Sequence, residues 1–291
     1  MMFLAVVLDG KTLAEEIKQD IAGRAKIMKE QGITPTLATI LVGDDPSSKT
    51  YVDGKQRDCG EVGIEFGLYK LPSSVAEREL IELIKKLNDD EDVHGIIVQL
   101  PLPKHINRKN VAMSISPLKD VDGLNPHNIG KLWLGAYEPE NDLLPCTPKG
   151  IMKLLDRYGI ELEGKLAVII NRSDLVGKPL AKLFLDRNAT VVICHSKTPE
   201  LEKHTKAADV LVSAVGKRPS FVVGEEMVKE GAVVVDVGMN HIGGKLQGDV
   251  DFERVKEKAS HITPVPGGVG PMTRVMLLHN VLIATKIAEG V

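Results

Sequence analysis

A lysine flanked at helical spacing by a tyrosine and a cysteine is an odd stripe for a water-facing helix. Asp45 and Pro46 supply a cap and a first helical residue, so the sequence predicts a helix over 47–59 despite Gly54. On it Ser48, Tyr51, Lys55 and Cys59 fall three or four residues apart and share one face. If that face lines a poorly solvated cleft, desolvation disfavours the ammonium form. Full burial lowers a lysine by about 3–5 pKa units, enough to make a base or proton shuttle near neutral pH. The plainer reading is a lysine whose stem covers apolar surface while its head reaches water.

Two further groups suit such a site. The apolar run Gly95 to Val98 reads as a strand that ends at Gln99, just before Leu100, Pro101, Leu102 and Pro103. Ligands of open α/β sheets bind beyond the carboxyl ends of strands, so Gln99 is placed to hydrogen-bond a substrate or the lysine amine. The turn Lys119-Asp-Val-Asp-Gly123 projects Asp122, whose ionised carboxylate only accepts hydrogen bonds and therefore suits a heterocycle with paired N–H donors. An aspartate before glycine also bonds its own turn, and that alternative stays open. The loop Pro264 to Thr273 combines prolines with glycines that permit close approach of a flat ligand, or serves as a hinge.

In the second half, the strand Leu166 to Ile170 runs into Asn171, Arg172, Ser173 and Asp174, reaches Gly177, and continues as a helix to Asp186. Strand, turn and helix make a context for phosphate on a helix N-terminus. The usual GxGxxG is absent, and by itself the unit could be ordinary α/β structure. The next strand ends in His195-Ser-Lys-Thr198, with no carboxylate to take a ribose diol. Arg172, Ser196 and Lys197 could instead hold a 2′-phosphate by charge-assisted bonds, which favours NADP over NAD; the alternative is polar side chains facing water. Glycines at two further strand ends, Ser213 to Gly216 and Asp236 to Asn240, let a cofactor lie against backbone.

These residues need a scaffold of two parts. At 291 residues the chain is long enough for two domains. Strands at 36–42, 64–70 and 95–100 alternate with helices, implying a mostly parallel sheet. The proline-interrupted stretch from Leu102 to Pro148 reads as connecting and site-forming loop. A helix over 148–158 then leads into fresh strands at 166–170, 191–194, 210–214 and 233–237, and a last helix over 273–288 is expected to return to the first domain. The expected boundaries are 1–146 with 275–291, and 147–274.

Composition narrows the function. With 43% hydrophobic residues, 26% charged and a net charge of −3, the chain carries no electrostatic footprint for nucleic acid. No apolar run reaches the ~18 residues that span a membrane, and the opening run Met2 to Leu8 reads as a strand rather than a signal peptide. Three scattered cysteines, Cys59, Cys146 and Cys194, support neither a disulfide framework nor a zinc site, and the expectation is a cytoplasmic protein without metal.

Taken in order, Tyr51-Val-Asp-Gly-Lys55, Val98-Gln-Leu-Pro-Leu-Pro103, Asp120-Val-Asp-Gly123, Pro145-Cys-Thr-Pro148, Arg172-Ser-Asp-Leu-Val-Gly177, His195-Ser-Lys-Thr198 and Pro266-Gly-Gly-Val-Gly-Pro-Met-Thr273 give the chain a close, nearly full-length resemblance to a known family. It resembles the bifunctional methylenetetrahydrofolate dehydrogenase/methenyltetrahydrofolate cyclohydrolases. The resemblance implies an N-terminal α/β folate-binding domain and a Rossmann-like NADP-binding domain, with the C-terminal helix in the first. It implies NADP-dependent oxidation of 5,10-methylene-tetrahydrofolate and hydrolysis of the methenyl product, by a homodimer.

By the same resemblance Lys55 is the central catalytic residue, Tyr51 stacks on the folate rings, Gln99 tunes Lys55, and Asp122 pins the pterin. Ser48, Val52, Val98, Leu100, Pro266, Gly267, Gly268, Val269 and Gly270 complete the folate pocket. Asn171, Arg172, Ser173, Ser196 and the backbone near Met239 take the cofactor. The family often has glycine in place of Asn171, and asparagine is expected to serve through its tolerance of a left-handed backbone. The alternatives are an NADP-dependent dehydrogenase of another small substrate and a catalytically silent folate or NADP sensor.

Overall fold

Val6 and Val7 form a short strand, β1 (Val6–Val7), and its partners lie at the far end of the chain: Val6 opposite His261 and Val7 opposite Ile262, in parallel. This computed structural model describes residues 5–290. After β1 come α1 (Gly10–Glu30), β2 (Thr36–Val42), α2 (Pro46–Val62), β3 (Glu65–Leu71), α3 (Glu77–Asp89), β4 (Gly95–Val98), α4 (Arg108–Ser114) and α5 (Pro126–Leu134). The chain continues with α6 (Cys146–Arg157), β5 (Leu166–Ile170), α7 (Gly177–Asp186), β6 (Thr190–Cys194), α8 (Leu201–Thr205), β7 (Val210–Ser213) and β8 (Val233–Asp236). It closes with β9 (Asn240–Ile242), β10 (Lys245–Gln247), α9 (Phe252–Val255), β11 (His261–Ile262) and α10 (Val269–Glu289).

Two compact units result. One holds Glu16–Cys146 and the residues from Arg274 onward; the other holds the residues up to Glu15 with Thr147–Thr273. Between them the chain divides after Glu15, Cys146 and Thr273. The N-terminal segment does not follow the expected 1–146 grouping, because β1 finds its backbone partners on β11, at an edge of the other unit's sheet.

The unit from Glu16 carries a parallel three-stranded sheet in the order β3-β2-β4, with β2 central and paired to β3 from Thr36↔Glu65 to Val42↔Leu71. Helix α3 buries Leu80, Ile84 and Leu87, spaced 4 and 3 residues apart, on Ala38, Ile40, Ile96 and Val98. Beside β4, Ile96 bridges Asp120 in parallel and its N–H donates to Lys119 O at 2.7 Å, so the segment carrying Asp122 extends the sheet edge.

The stretch from Leu102 to Pro148 is less irregular than expected, since α4 and α5 lie within it. Asn107 and Asn125 cap them by accepting from Lys109 N and His127 N, and Pro126 opens α5 rather than interrupting it. Gly135, at φ 69°, ends α5 in the left-handed conformation that glycine adopts without steric cost.

In the other unit six parallel strands run β1-β11-β8-β7-β5-β6. Val168, Ile170, Leu211, Val234, Val250 and Ile262 form its core, and nearly continuous apolar strands are what a sheet covered on both faces requires. The last helix starts at Val269, earlier than expected, so Val269 to Pro271 form its first turn, where proline costs no hydrogen bond. No helix among the described residues is long and apolar enough to cross a membrane.

Candidate active site

Lys55 is held by its neighbours in the Glu16–Cys146 unit. Asp45 caps α2 through Oδ2, which accepts from Ser48 N at 2.8 Å and Ser48 Oγ at 2.9 Å, and the helix ends at left-handed Gly63. The Ser48 hydroxyl is thereby taken up by the cap, and the residue is buried. Further along, Lys55 Nζ donates to Gln99 Oε1 at 2.8 Å, while Gln99 Nε2 donates to Leu100 O at 2.7 Å. The second bond fixes the amide so that its carbonyl faces the amine. Tyr51, one turn before Lys55, remains 41% exposed. Val52 and Val98 are buried, and Val98 is committed to the α3-side core.

The electrostatics favour a neutral lysine. Burial pushes the Lys55 amine below its ordinary range, against the opposing pull of Asp122 and the weaker pulls of Cys146 and Cys59. Asp122 is pushed up by burial, with Lys55 and a Cys146 hydrogen bond acting against the rise. Both groups therefore move toward their uncharged forms. Cys59, on the same stripe, is pushed up to about 12 by burial, so its thiol stays protonated.

The turn around Asp122 is built firmly. Asp120 accepts from Asn125 N at 2.6 Å and Asn128 Nδ2 at 3.0 Å, Cys146 Sγ donates to Val121 O at 3.3 Å, and Asn280 Nδ2 on α10 donates to Val121 O and Leu144 O, both at 2.8 Å. Gly123, at φ 69°, has no room for a side chain: a Cβ there would lie 2.4 Å from Leu144 C. Beneath α2, buried Asp58 accepts from Lys18 Nζ at 2.8 Å and Arg274 Nε at 2.6 Å, tying α1 and α10 to the helix that carries Lys55.

The second candidate site lies at the carboxyl ends of β5 to β8. Asn171 does not use a left-handed backbone, since its φ is not positive. Its side chain closes the loop instead: Oδ1 accepts from Ser173 N at 2.7 Å and Gly177 N at 3.1 Å, and Nδ2 donates to Ala214 O at 2.6 Å. A Cβ on Gly177 would lie 2.0 Å from Asn171 O, so only glycine fits at the start of α7. Ser173 Oγ accepts from Val176 N at 3.1 Å and keeps its own proton to donate. Arg172, Ser196 and Lys197 are exposed around this loop, and Met239 is 42% exposed. A guanidinium, an ammonium and hydroxyl donors, with no carboxylate over 195–198, form a donor set that fits a phosphomonoester on a dinucleotide ribose.

Of the residues expected to form the folate site, Ser48, Tyr51, Val52, Lys55, Val98, Gln99, Leu100 and Asp122 all fall in the Glu16–Cys146 unit. Pro266, Gly267, Gly268, Val269 and Gly270 belong to the other, where Gly267 O accepts from Lys11 N at 2.8 Å. The sequence reading passed over Asp58, although it stands three residues from Lys55, and the buried pair Asp236 and Asp249. Glycines beside both of the latter were the available signal: a Cβ on Gly238 or Gly248 would overlap Asp249 or Asp236. Among the described residues no group of three or more His, Cys, Asp or Glu is placed to hold a metal ion.

Comparison with known proteins adds the family. Residues 8–122 match the catalytic domain of tetrahydrofolate dehydrogenase/cyclohydrolase, and residues 145–289 match the NAD(P)-binding domain of the same family. The bifunctional protein FolD of Bacillus subtilis is 52% identical over 283 residues, 97% of this chain and 98% of that protein. Among solved structures, the bifunctional methylenetetrahydrofolate dehydrogenase/cyclohydrolase of Campylobacter jejuni superposes with a TM-score of 0.93 at 49% identity, over 97% of this chain and 99% of that one. The Trypanosoma brucei methylenetetrahydrofolate dehydrogenase-cyclohydrolase, solved with NADP and an inhibitor, gives 0.92 at 37% identity and covers 99% of both chains.

Proposed function

The chain belongs to the tetrahydrofolate dehydrogenase/cyclohydrolase family, and from that premise we propose how its own residues divide the work of a bifunctional enzyme. It oxidises 5,10-methylene-tetrahydrofolate to the 5,10-methenyl form with NADP and hydrolyses that product to 10-formyl-tetrahydrofolate. NADP, when bound, supplies the acceptor for the hydride leaving the methylene carbon. Arg172, Ser173 and Ser196 hold its 2′-phosphate end, with backbone near Met239 alongside. Asn171 acts through the loop it closes.

Asp122 accepts hydrogen bonds from the pterin, and Tyr51 offers its ring face to the folate's aromatic part, so positioning supplies much of the first step's rate. No strong base is needed there. In the second step water adds to the methenyl carbon and Lys55 takes one of its protons. Lys55 returns that proton to the ring nitrogen as the carbon–nitrogen bond opens, and the remaining hydroxyl proton leaves to solvent as the formyl carbonyl forms. A neutral lysine also avoids repelling the cationic methenyl group, as its lowered pKa allows.

The observation that carries this reading is the 2.8 Å bond from Lys55 Nζ to Gln99 Oε1, made by an amine that burial holds below its ordinary range. Lys55→Met is expected to oxidise methylene-tetrahydrofolate with NADP and accumulate the methenyl product, with folate binding largely retained. Continued hydrolysis by that variant would refute the role of Lys55. The enzyme acts as a cytoplasmic homodimer: the family resemblance supports the dimer, and three buried cysteines that form no disulfide suit a reducing compartment. Light scattering of the purified protein tests the dimer.

A further inference from the structure

The carboxyl ends of β7 and β8 are knotted around two buried carboxylates that take no part in the chemistry above. Asp249 is fully buried and accepts four hydrogen bonds: from Ser213 Oγ at 2.9 Å, Val215 N at 2.7 Å, Gly216 N at 3.0 Å and Asn240 Nδ2 at 3.1 Å. Asp236 sits behind it and accepts from Asp249 N at 2.9 Å, Gly238 N at 2.8 Å and Val250 N at 2.8 Å. Every partner of Asp249 is a donor, so an acceptor-only group is required there and an ionised carboxylate saturates its lone pairs. The network does not stop at the knot. Val215 follows Ala214, whose carbonyl takes the Asn171 amide at 2.6 Å, and Asn171 in turn holds Ser173 and Gly177 at the start of α7.

We propose that Asp249, backed by Asp236, is a positioning residue for NADP: it sets the height of the 214–216 and 238–240 backbone segments and, through Ala214 and Asn171, the shape of the 171–177 loop. The inference rests on the proposed placement of NADP over these strand ends. It does not concern Lys55, which lies in the other unit. Replacing Asp249 with Asn keeps the shape but turns an amide N–H₂ toward N–H donors, so at least one of them loses its acceptor inside the protein.

The test uses the full-length protein and two readouts. Isothermal titration calorimetry with NADP reads the cofactor site directly, and hydrolysis of methenyl-tetrahydrofolate supplied without NADP reads the Lys55 site. For Asp249→Asn the NADP Kd is expected to rise roughly tenfold or more while hydrolysis stays within about twofold, as for independent sites. Ser213→Ala, which removes one of the four bonds, is expected to shift the Kd the same way by a smaller factor, and decides the matter if the first variant does not fold. An NADP Kd unchanged in the folded variants, or hydrolysis lost in parallel with binding, overturns the proposal. A wild-type protein that hydrolyses methenyl-tetrahydrofolate but binds no NADP overturns the cofactor reading itself, and this inference with it.

Discussion

Gln99 presents its carbonyl to Lys55 because its amide nitrogen is already bonded to Leu100 O, so the amine meets an uncharged acceptor of fixed orientation. A carboxylate at either neighbouring position changes the lysine's pKa in a direction that can be worked out in advance.

Gln99→Glu puts a negative charge against Lys55 and raises its pKa, so the neutral fraction at a given pH falls. The rising limb of the hydrolysis rate against pH therefore moves to higher pH. Asp122→Asn removes the charge that holds the amine up, so the same limb moves to lower pH in kcat. Stopped-flow hydrolysis across pH 5 to 10 checks both, and limbs that stay in place would remove Lys55 from the rate-limiting proton transfer.

Gly177→Ala places a methyl group where the Asn171 carbonyl stands, 2.0 Å away, and the loop must open. NADP-dependent oxidation is expected to fall by at least ~100-fold, about 3 kcal/mol, with hydrolysis of supplied methenyl-tetrahydrofolate preserved. Parallel assays of the two activities on one preparation give the answer.

Asp58→Ala leaves Lys18 and Arg274 without their shared buried acceptor. Breaking such a pair costs about 3 kcal/mol, toward the low end of the usual range because the arginine reaches water. Urea unfolding followed by circular dichroism should show the loss.

Burial raises Asp120 to about 6 from its ordinary 3.8. Between those values the folded protein holds a proton that the unfolded chain has released, so this group's contribution to stability falls as pH rises from about 4 to about 6. Denaturation midpoints of wild type and Asp120→Asn, measured at intervals over that window, should differ in slope, with the wild type declining more steeply relative to the variant.

The two-part α/β fold is legible in the alternation of strands and helices, and the candidate site residues stand out for local reasons. Lys55 and Tyr51 stand out because a capped helix fixes their register, and Gln99 stands out because an apolar strand ends on it. Helix α1 gives a blurred signal: its buried stripe is Ala14, Ile21, Ala25 and Met28, half of it alanine, while Leu13 and Ile17 are only part-buried and Ile27 is exposed. The pairing of β1 with β11 joins residues about 255 apart, a relationship no local pattern encodes. Asn171 invites a backbone explanation from its type, whereas the three side-chain bonds that define its role depend on where β7 ends. The acidic knot at Asp236 and Asp249 is hidden for the same reason, because sequence suggests that aspartates face water.

The thiol beside Lys55 has a consequence for covalent inhibitors. Cys59 is buried and held to about 12, so reagents that trap thiolates have no target in this stripe. Burial pushes the amine one helical turn away toward its neutral form, and a neutral lysine exposes a lone pair to acyl donors. An electrophile carried into this pocket on a flat heterocycle would acylate Lys55 in preference to the charged surface lysines. Mass spectrometry of the modified chain would locate the adduct.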